Sequence, residues 1–196
     1  LVASPGFAPT SPVVAAALAA GVEVWSEVEL AWRLRVDRTR GDGPAPWLAL
    51  TGTNGKTTTV GMLAAILEAA GERALPVGNI GTPVVEAATD PDLDVLAVEL
   101  SSFQLHFTTS LRAQAAAVLN LAPDHLDWHG SFEAYGAAKA RVLEGVERAC
   151  VYPAEDRQVE RMVRGADVAE GAYAVGFTLG APGAGDSPSS RRANSP

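Results

Sequence analysis

The run Gly52-Thr53-Asn54-Gly55-Lys56-Thr57-Thr58 has the makings of a phosphate cradle. Glycine lets a backbone turn tightly enough for several N–H groups to converge on one anion, and a helix that starts at the turn adds its partial positive charge. A lysine in such a loop reaches the β- and γ-phosphates of a nucleoside triphosphate, and the hydroxyl beside it binds the accompanying Mg²⁺. Lys56 and Thr57 fit those roles, with Thr58 behind them, and ATP is the expected ligand. The general pattern for these loops has a further glycine where this chain has Leu50. The plainer alternative is a glycine-rich turn that merely opens a helix. The flanks favour the cradle: an apolar run, Trp47-Leu-Ala-Leu-Thr51, precedes it and a helical pattern follows.

Other residues with chemistry to offer stand at the ends of apolar runs. Asp94-Val-Leu-Ala-Val-Glu-Leu100 delivers Glu99 and then Ser101-Ser102. A carboxylate at the end of a buried strand can hold Mg²⁺; taken alone it is equally a surface acid. Ala115-Ala-Ala-Val-Leu-Asn120 leads to Asp124-His125-Leu126-Asp127-Trp128-His129. His125 is a candidate metal ligand or contact to a reacting group, against the alternative of a polar loop. A zinc site on His125 and His129 lacks a third ligand nearby in sequence. Lys139 falls on the apolar stripe marked by Phe132, Tyr135, Val142, Leu143 and Val146. An amine there is costly as a cation, so its pKa should fall. Either its stem packs and the ammonium reaches solvent, or the neutral amine takes up CO₂ as a carbamate and supplies an anionic oxygen ligand for a second Mg²⁺.

The elements that must place these groups alternate. A helix follows the loop with Val60, Leu63, Leu67 and Ala70 on one face and Gly71 at its end. Strands are expected at Ala74–Val77 (edge-like because of Pro76), Asp94–Leu100, Ala115–Asn120, around Cys150 and at Ala172–Phe177. Helices are expected at Thr82–Ala88, Ser131–Glu147 and Asp156–Val163. This alternation predicts an α/β fold of the phosphate-loop type, a doubly wound and mostly parallel sheet. Ligands of such sheets bind at the carboxyl ends of the strands, where the phosphate loop, Glu99 and the Asp124–His129 stretch lie.

Upstream, Ser4-Pro5-Gly6 reads as a turn, Thr10–Ala20 as a helix, Val22–Trp25 as a short strand, and Ser26 as the cap of a helix running to about Leu34. These cannot build a core alone, so residues 1–36 are expected to be the end of a Rossmann-like N-terminal domain, with 37–46 a linker and 47–179 an incomplete ATP-binding domain. Residues 180–196, with thirteen of seventeen being Gly, Ala, Pro or Ser, are expected to be a disordered tail.

A net charge of −8 argues against nucleic-acid binding, because no basic patch offsets it. No apolar run approaches a membrane span, and Leu1-Val-Ala-Ser-Pro-Gly6 does not look like a signal peptide. The single cysteine, Cys150, reads as a buried, inert thiol. A cytoplasmic monomer is expected.

Together, Thr51-Gly-Thr-Asn-Gly-Lys-Thr57, Gly78-Asn79-Ile80-Gly81, Glu99-Leu-Ser-Ser-Phe-Gln-Leu105 and Asp124-His125-Leu126-Asp127 with Tyr135 and Lys139 resemble the Mur ligases and folylpolyglutamate synthetases. Within that family the Ser-Ser-Phe-Gln-Leu string is most similar to the branch that adds D-glutamate. The resemblance runs from Leu1 to about Gly183, and Ala122 departs from it, since a hydroxyl residue usually stands there. It implies an ATP-dependent ligase of peptidoglycan synthesis, hence of cell shape and division. Such a ligase joins D-glutamate to UDP-N-acetylmuramoyl-L-alanine through an acyl phosphate. By that resemblance Gly52 to Thr58 would hold ATP, with Lys56, His125 and Lys139 catalytic. Thr57 and Glu99 would bind one Mg²⁺, and His125 and a carbamylated Lys139 a second. Ser4, Gly6, Asn79, Ser101 and His125 would lie along the muramoyl substrate. The family's uridine, adenine and amino-acid contacts belong largely to parts not represented here, so the chain alone is expected not to complete the reaction. Three readings compete: another Mur-type or folylpolyglutamate-synthetase-like ligase, a small-molecule kinase on a similar loop, and a nucleotide-binding fragment without turnover.

Overall fold

The computed structural model describes residues 1–180. The expectation of a disordered tail therefore lies, apart from Gly180, outside the described residues. The strands are β1 (Trp47–Thr51), β2 (Ala74–Gly78), β3 (Val95–Glu99), β4 (Ala115–Val118), β5 (Ala149–Pro153) and β6 (Tyr173–Phe177). They form one six-stranded sheet in the order β2-β3-β1-β4-β5-β6, parallel throughout. The helices are α1 (Pro12–Ala19), α2 (Glu27–Leu34), α3 (Lys56–Ala69), α4 (Val84–Ala88), α5 (Ser102–His106), α6 (Leu126–His129), α7 (Phe132–Ala140) and α8 (Arg157–Gly165).

Period-two alternation sorts each strand between two cores. In β3, Leu96 and Val98 face the larger core with Leu100, Val142, Val146, Cys150 and Val159. Ala97 faces the other side, where it and Leu50 pack against Val60 and Ala64 of α3. β3 is buried along its whole length, as a central strand covered on both faces must be. β2 with Pro76 is an edge strand, as expected.

The N-terminal part is bound to the same body. Ser26 caps α2 by accepting from the Glu29 amide at 3.1 Å, and its hydroxyl meets that of Thr108 at 2.7 Å. Val28 and Ala31 of α2 belong to the larger core. Glu29 is fully buried and accepts from the amides of Thr109 and Ser110, the Ser110 hydroxyl and Arg33. Burial raises its pKa, but the Ser110 hydroxyl, the two amides and Arg33 lower it further, to about 2. Within 37–46, Asp37 bridges Pro44, and Arg38 and Arg40 donate to Asp94 at the start of β3.

Three local expectations are corrected. Val22–Trp25 is not a strand, for only Trp25 makes a bridge, to Val2. The helix expected from Ser131 to Glu147 ends at Ala140 and tightens into a 3₁₀ turn at Arg141–Leu143. Glu144 is extended and Gly145 is left-handed at φ 64°, which sends the chain back toward β5. On α3 the buried partner of Val60 is Ala64, whereas Ala70 has passed the sheet and is exposed. The short helices α5 and α6 have no counterpart in the pattern, being too short to show a period.

Candidate active site

The ends of β2, β3, β1 and β4 lie side by side, so their following loops share one rim of the sheet. The phosphate loop closes on Gly55, left-handed at φ 80°, and α3 begins at Lys56. Among the described residues, nothing accepts from the amides of Gly55, Lys56, Thr57 or Thr58. They are the orphan donors of a helix start, aimed outward. Gly52 is close to β4: a Cβ there would stand 3.1 Å from that of Leu119.

Lys56 is folded back, its Nζ donating to Gly52 O and Thr53 O at 3.0 Å each. Lys139 arrives from α7 and donates to the same Gly52 carbonyl at 2.7 Å and to Thr51 Oγ1 at 3.3 Å. It is 2% exposed, so the ammonium does not reach solvent. Burial, then the like charge of Lys56, lowers its pKa to about 7 against a weak opposing pull from Asp124. Tyr135 lies beneath it, the Lys139 nitrogen 4.8 Å from the ring centroid and the phenol oxygen 3.1 Å from Thr53 Oγ1.

Glu99 is 1% exposed, so it is no surface acid. Thr57 Oγ1 donates to its Oε2 and Asn79 Nδ2 to its Oε1, both at 3.0 Å. The Asn79 amide also donates to Glu99 O at 2.9 Å. That close approach requires Gly78, which sits at φ 111° and whose Cβ would overlap the Glu99 carbonyl oxygen.

His125 adopts the left-handed conformation at φ 51°, costly for a residue with a Cβ. Its amide donates to Asp124 Oδ1 at 2.9 Å, and its ring lies against Phe103 at 4.7 Å, half-exposed toward the rim. His129 points elsewhere, its Nε2 2.9 Å from Ser102 Oγ. Burial, with the charges of His106, His125 and Lys139, lowers its pKa to about 4. Among the described residues no three His, Cys, Asp or Glu side chains gather to hold a metal, which leaves the zinc alternative without support.

Ser101 is used internally: its hydroxyl accepts from the Gln104 backbone N–H and its own backbone N–H donates to Gln104 Oε1 in a reciprocal helix cap, with the hydroxyl also donating to that Oε1. Ser4 and Gly6 sit in an exposed turn with no hydrogen bond to the rim among the described residues. Cys150 is fully buried, and burial raises its thiol to about 11.

The donor set fits Mg²⁺ at one place. That ion takes one or two carboxylates plus substrate phosphates, which matches Thr57 and Glu99 beside the open amides. Lys139 as an ammonium only donates, and as a free amine it offers nitrogen to an ion that takes oxygen ligands, so it fits Mg²⁺ only as a carbamate.

Sequence reasoning missed Asn120 as more than the end of a strand. Its Oδ1 accepts from the amides of Thr53 at 3.0 Å and Asn54 at 2.9 Å, and its Nδ2 donates to Asn54 O at 2.9 Å. The available signal was its place, a polar side chain at the ligand end of a buried parallel strand.

A model of the Mur ligase middle domain matches residues 50–182. The chain is 62% identical over 184 residues to UDP-N-acetylmuramoylalanine--D-glutamate ligase of Streptomyces coelicolor, covering 93% of this chain and 39% of that protein. It is 51% identical to the same-named protein of Leifsonia xyli, covering 95% and 38%. It thus spans about two fifths of the length of these curated relatives. Among solved structures, a UDP-N-acetylmuramoyl-L-alanyl-D-glutamate--2,6-diaminopimelate ligase covers 94% of this chain and 46% of its own, with a TM-score of 0.64 at 23% identity. MurF ligase from Thermotoga maritima in complex with ADP covers 89% and 47%, with a TM-score of 0.55 at 18% identity. Both share the fold.

Proposed function

The chain belongs to the Mur ligase family by its middle domain, and from that premise we propose that it serves ATP-dependent formation of an amide bond between D-glutamate and UDP-N-acetylmuramoyl-L-alanine. The observation that carries the reaction class is the rim itself: open amides at Gly55–Thr58, Lys56, and the Thr57–Glu99 pair on adjacent strand ends. The D-glutamate assignment is supported by the 62% identity to the Streptomyces coelicolor ligase.

In this reading the amides of Gly55 to Thr58 receive phosphate oxygens, and Lys56 leaves the Gly52 and Thr53 carbonyls to meet the β- and γ-phosphates. Thr57 and Glu99 would hold Mg²⁺, which neutralises charge on the phosphates when bound. Asn79 fixes the Glu99 carboxylate from the other side. His125 faces the muramoyl substrate from the rim; Ser4 and Gly6, in an exposed turn with no hydrogen bond to the rim among the described residues, and Ser101, engaged by Gln104, would have to be brought to that substrate when it binds. The substrate carboxylate attacks the γ-phosphorus and expels ADP. The D-glutamate amine then attacks the acyl carbon and expels phosphate. Little covalent work falls to the protein, and most of its contribution is positioning and neutralisation. The near-neutral pKa of Lys139 keeps a share of free amine. That nitrogen adds to CO₂, one C=O electron pair moves to oxygen, and a proton is released, giving a carbamate that could hold a second Mg²⁺ with His125. The setting is cytoplasmic and the protein acts as a monomer.

The test is a chimera in which residues 47–179 of this chain replace the matching segment of the Streptomyces coelicolor ligase. Phosphate release that depends on D-glutamate is expected, and is lost in Lys56→Ala. A folded chimera that instead forms a stable phosphorylated alcohol refutes the ligase reading in favour of a kinase.

A further inference from the structure

Six successive amides, from Thr53 to Thr58, lie around the phosphate loop, yet they are not equivalent. Those of Thr53 and Asn54 are taken by Asn120 Oδ1, while those of Gly55 to Thr58 donate to nothing among the described residues. We propose that Asn120 is a positioning residue that sorts the loop's amides, closing its shoulder so that phosphate seats on the helix start beside Lys56. The proposal rests on the loop being a phosphate site.

The orientation of the Asn120 amide is fixed by its partners. Its oxygen faces two N–H donors and its nitrogen faces the Asn54 carbonyl, so the flipped arrangement would set donors against donors. The loop is held there a second time: the Thr53 hydroxyl donates to Ala122 O at 3.2 Å and accepts from the Ala122 amide at 3.0 Å. The Thr53 amide lies 3.2 Å from Asn120 O as well. Thr53 and Asn54 are thereby attached to the loop after β4, and the chain reverses only at Gly55.

Without the Asn120 side chain the Asn54 amide would be open and the Thr53 amide held only by Asn120 O at 3.2 Å, which would offer an anion a competing seat displaced from Lys56 and Thr57. Few side chains could close it. The group must accept from two N–H donors, donate to a carbonyl and carry no charge. Aspartate would accept equally well, but it could not donate and would repel phosphate. The neutral carboxamide meets all of these conditions.

The test uses the full chain labelled with ¹⁵N, amide hydrogen exchange, and titration with Mg·tripolyphosphate, which needs no adenine contact. In Asn120→Ala, the Asn54 amide should exchange at least tenfold faster and tripolyphosphate should bind about tenfold more weakly, while Leu96 and Val98 of β3 exchange as before. In Asn120→Asp, protection of Asn54 should persist while tripolyphosphate affinity falls. Unchanged affinity in Asn120→Ala overturns the proposal, as does loss of affinity only in step with faster exchange throughout β3. Wild-type affinity in Asn120→Asp overturns the argument from neutrality. If the unsubstituted chain does not bind tripolyphosphate, or Lys56→Ala binds it unchanged, the phosphate-site reading fails and takes this proposal with it. Binding that needs Lys56 but ignores Asn120 removes this proposal alone.

Discussion

Lys139 gives the sharpest quantitative prediction. In the unfolded chain its amine titrates near the ordinary value of 10.5, and in the folded protein near 7. Between those pH values the unfolded chain binds more protons, so folding stability rises with pH. The contribution is fully present above 10.5 and is lost as pH falls toward 7. The interval of about 3.5 units corresponds to about 5 kcal/mol in total, or about 1.4 kcal/mol per pH unit in the middle of the window. Lys139→Met keeps a similar stem and removes the proton. It leaves the Gly52 carbonyl without that donor, so the variant's absolute stability carries an offset. The slope is the diagnostic quantity. Urea unfolding of both proteins at pH 7.5, 8.5 and 9.5, in buffers stripped of CO₂ so that no carbamate forms, should show wild type gaining on the variant by about 1 kcal/mol at each step. Parallel curves would mean that Lys139 is not held in a site that disfavours its charge, and the argument for a reactive amine would go with it.

Two further substitutions follow from the same geometry. Glu29→Gln should destabilise the fold by about 3 kcal/mol at neutral pH, from a carboxylate lowered from 4.5 to about 2. In wild type that contribution is complete above pH 4.5 and is lost as pH falls through 2, so acid unfolding of the two proteins should converge there. Gly78→Ala should weaken Mg·tripolyphosphate binding at least tenfold, because its Cβ displaces the Glu99 backbone and with it the carboxylate facing Thr57. Normal affinity in that variant would show that the β2 turn is free to move.

Features carried by short stretches of chain were readable in the sequence. The phosphate loop, the cap at Ser26 and the edge character of β2 depend on neighbours a few residues away. The burial of Lys139 was also readable, since helical spacing places it between Tyr135 and Val142. What escaped depends on distant partners. Glu29 looks like an ordinary charge on an amphipathic helix until the 109–110 amides are brought to it. Ser102 and His129, 27 residues apart, meet only because α5 and α6 pack together. The early end of α7 is set by the turn at Gly145, whose amide bonds to Asp167. Ser101 was expected on the substrate side by resemblance, and its reciprocal cap with Gln104, only three residues on, was not foreseen.

The strand order has a consequence for how the chain comes to its folded state. β1 pairs with β3 and β4 and not with β2, so the loop it carries has no local scaffold. Glu99 reaches Thr57 from 42 residues downstream, Asn120 reaches Thr53 from 67, and Lys139 reaches Gly52 from 87. During synthesis the ribosome releases the loop's residues long before anything that shapes them. Closing such separations is entropically slow, and each closure is rewarded only when the next strand docks. The phosphate seat should therefore appear late and nearly all at once, as a kinetic marker that the sheet from β2 to β4 and helix α7 have assembled.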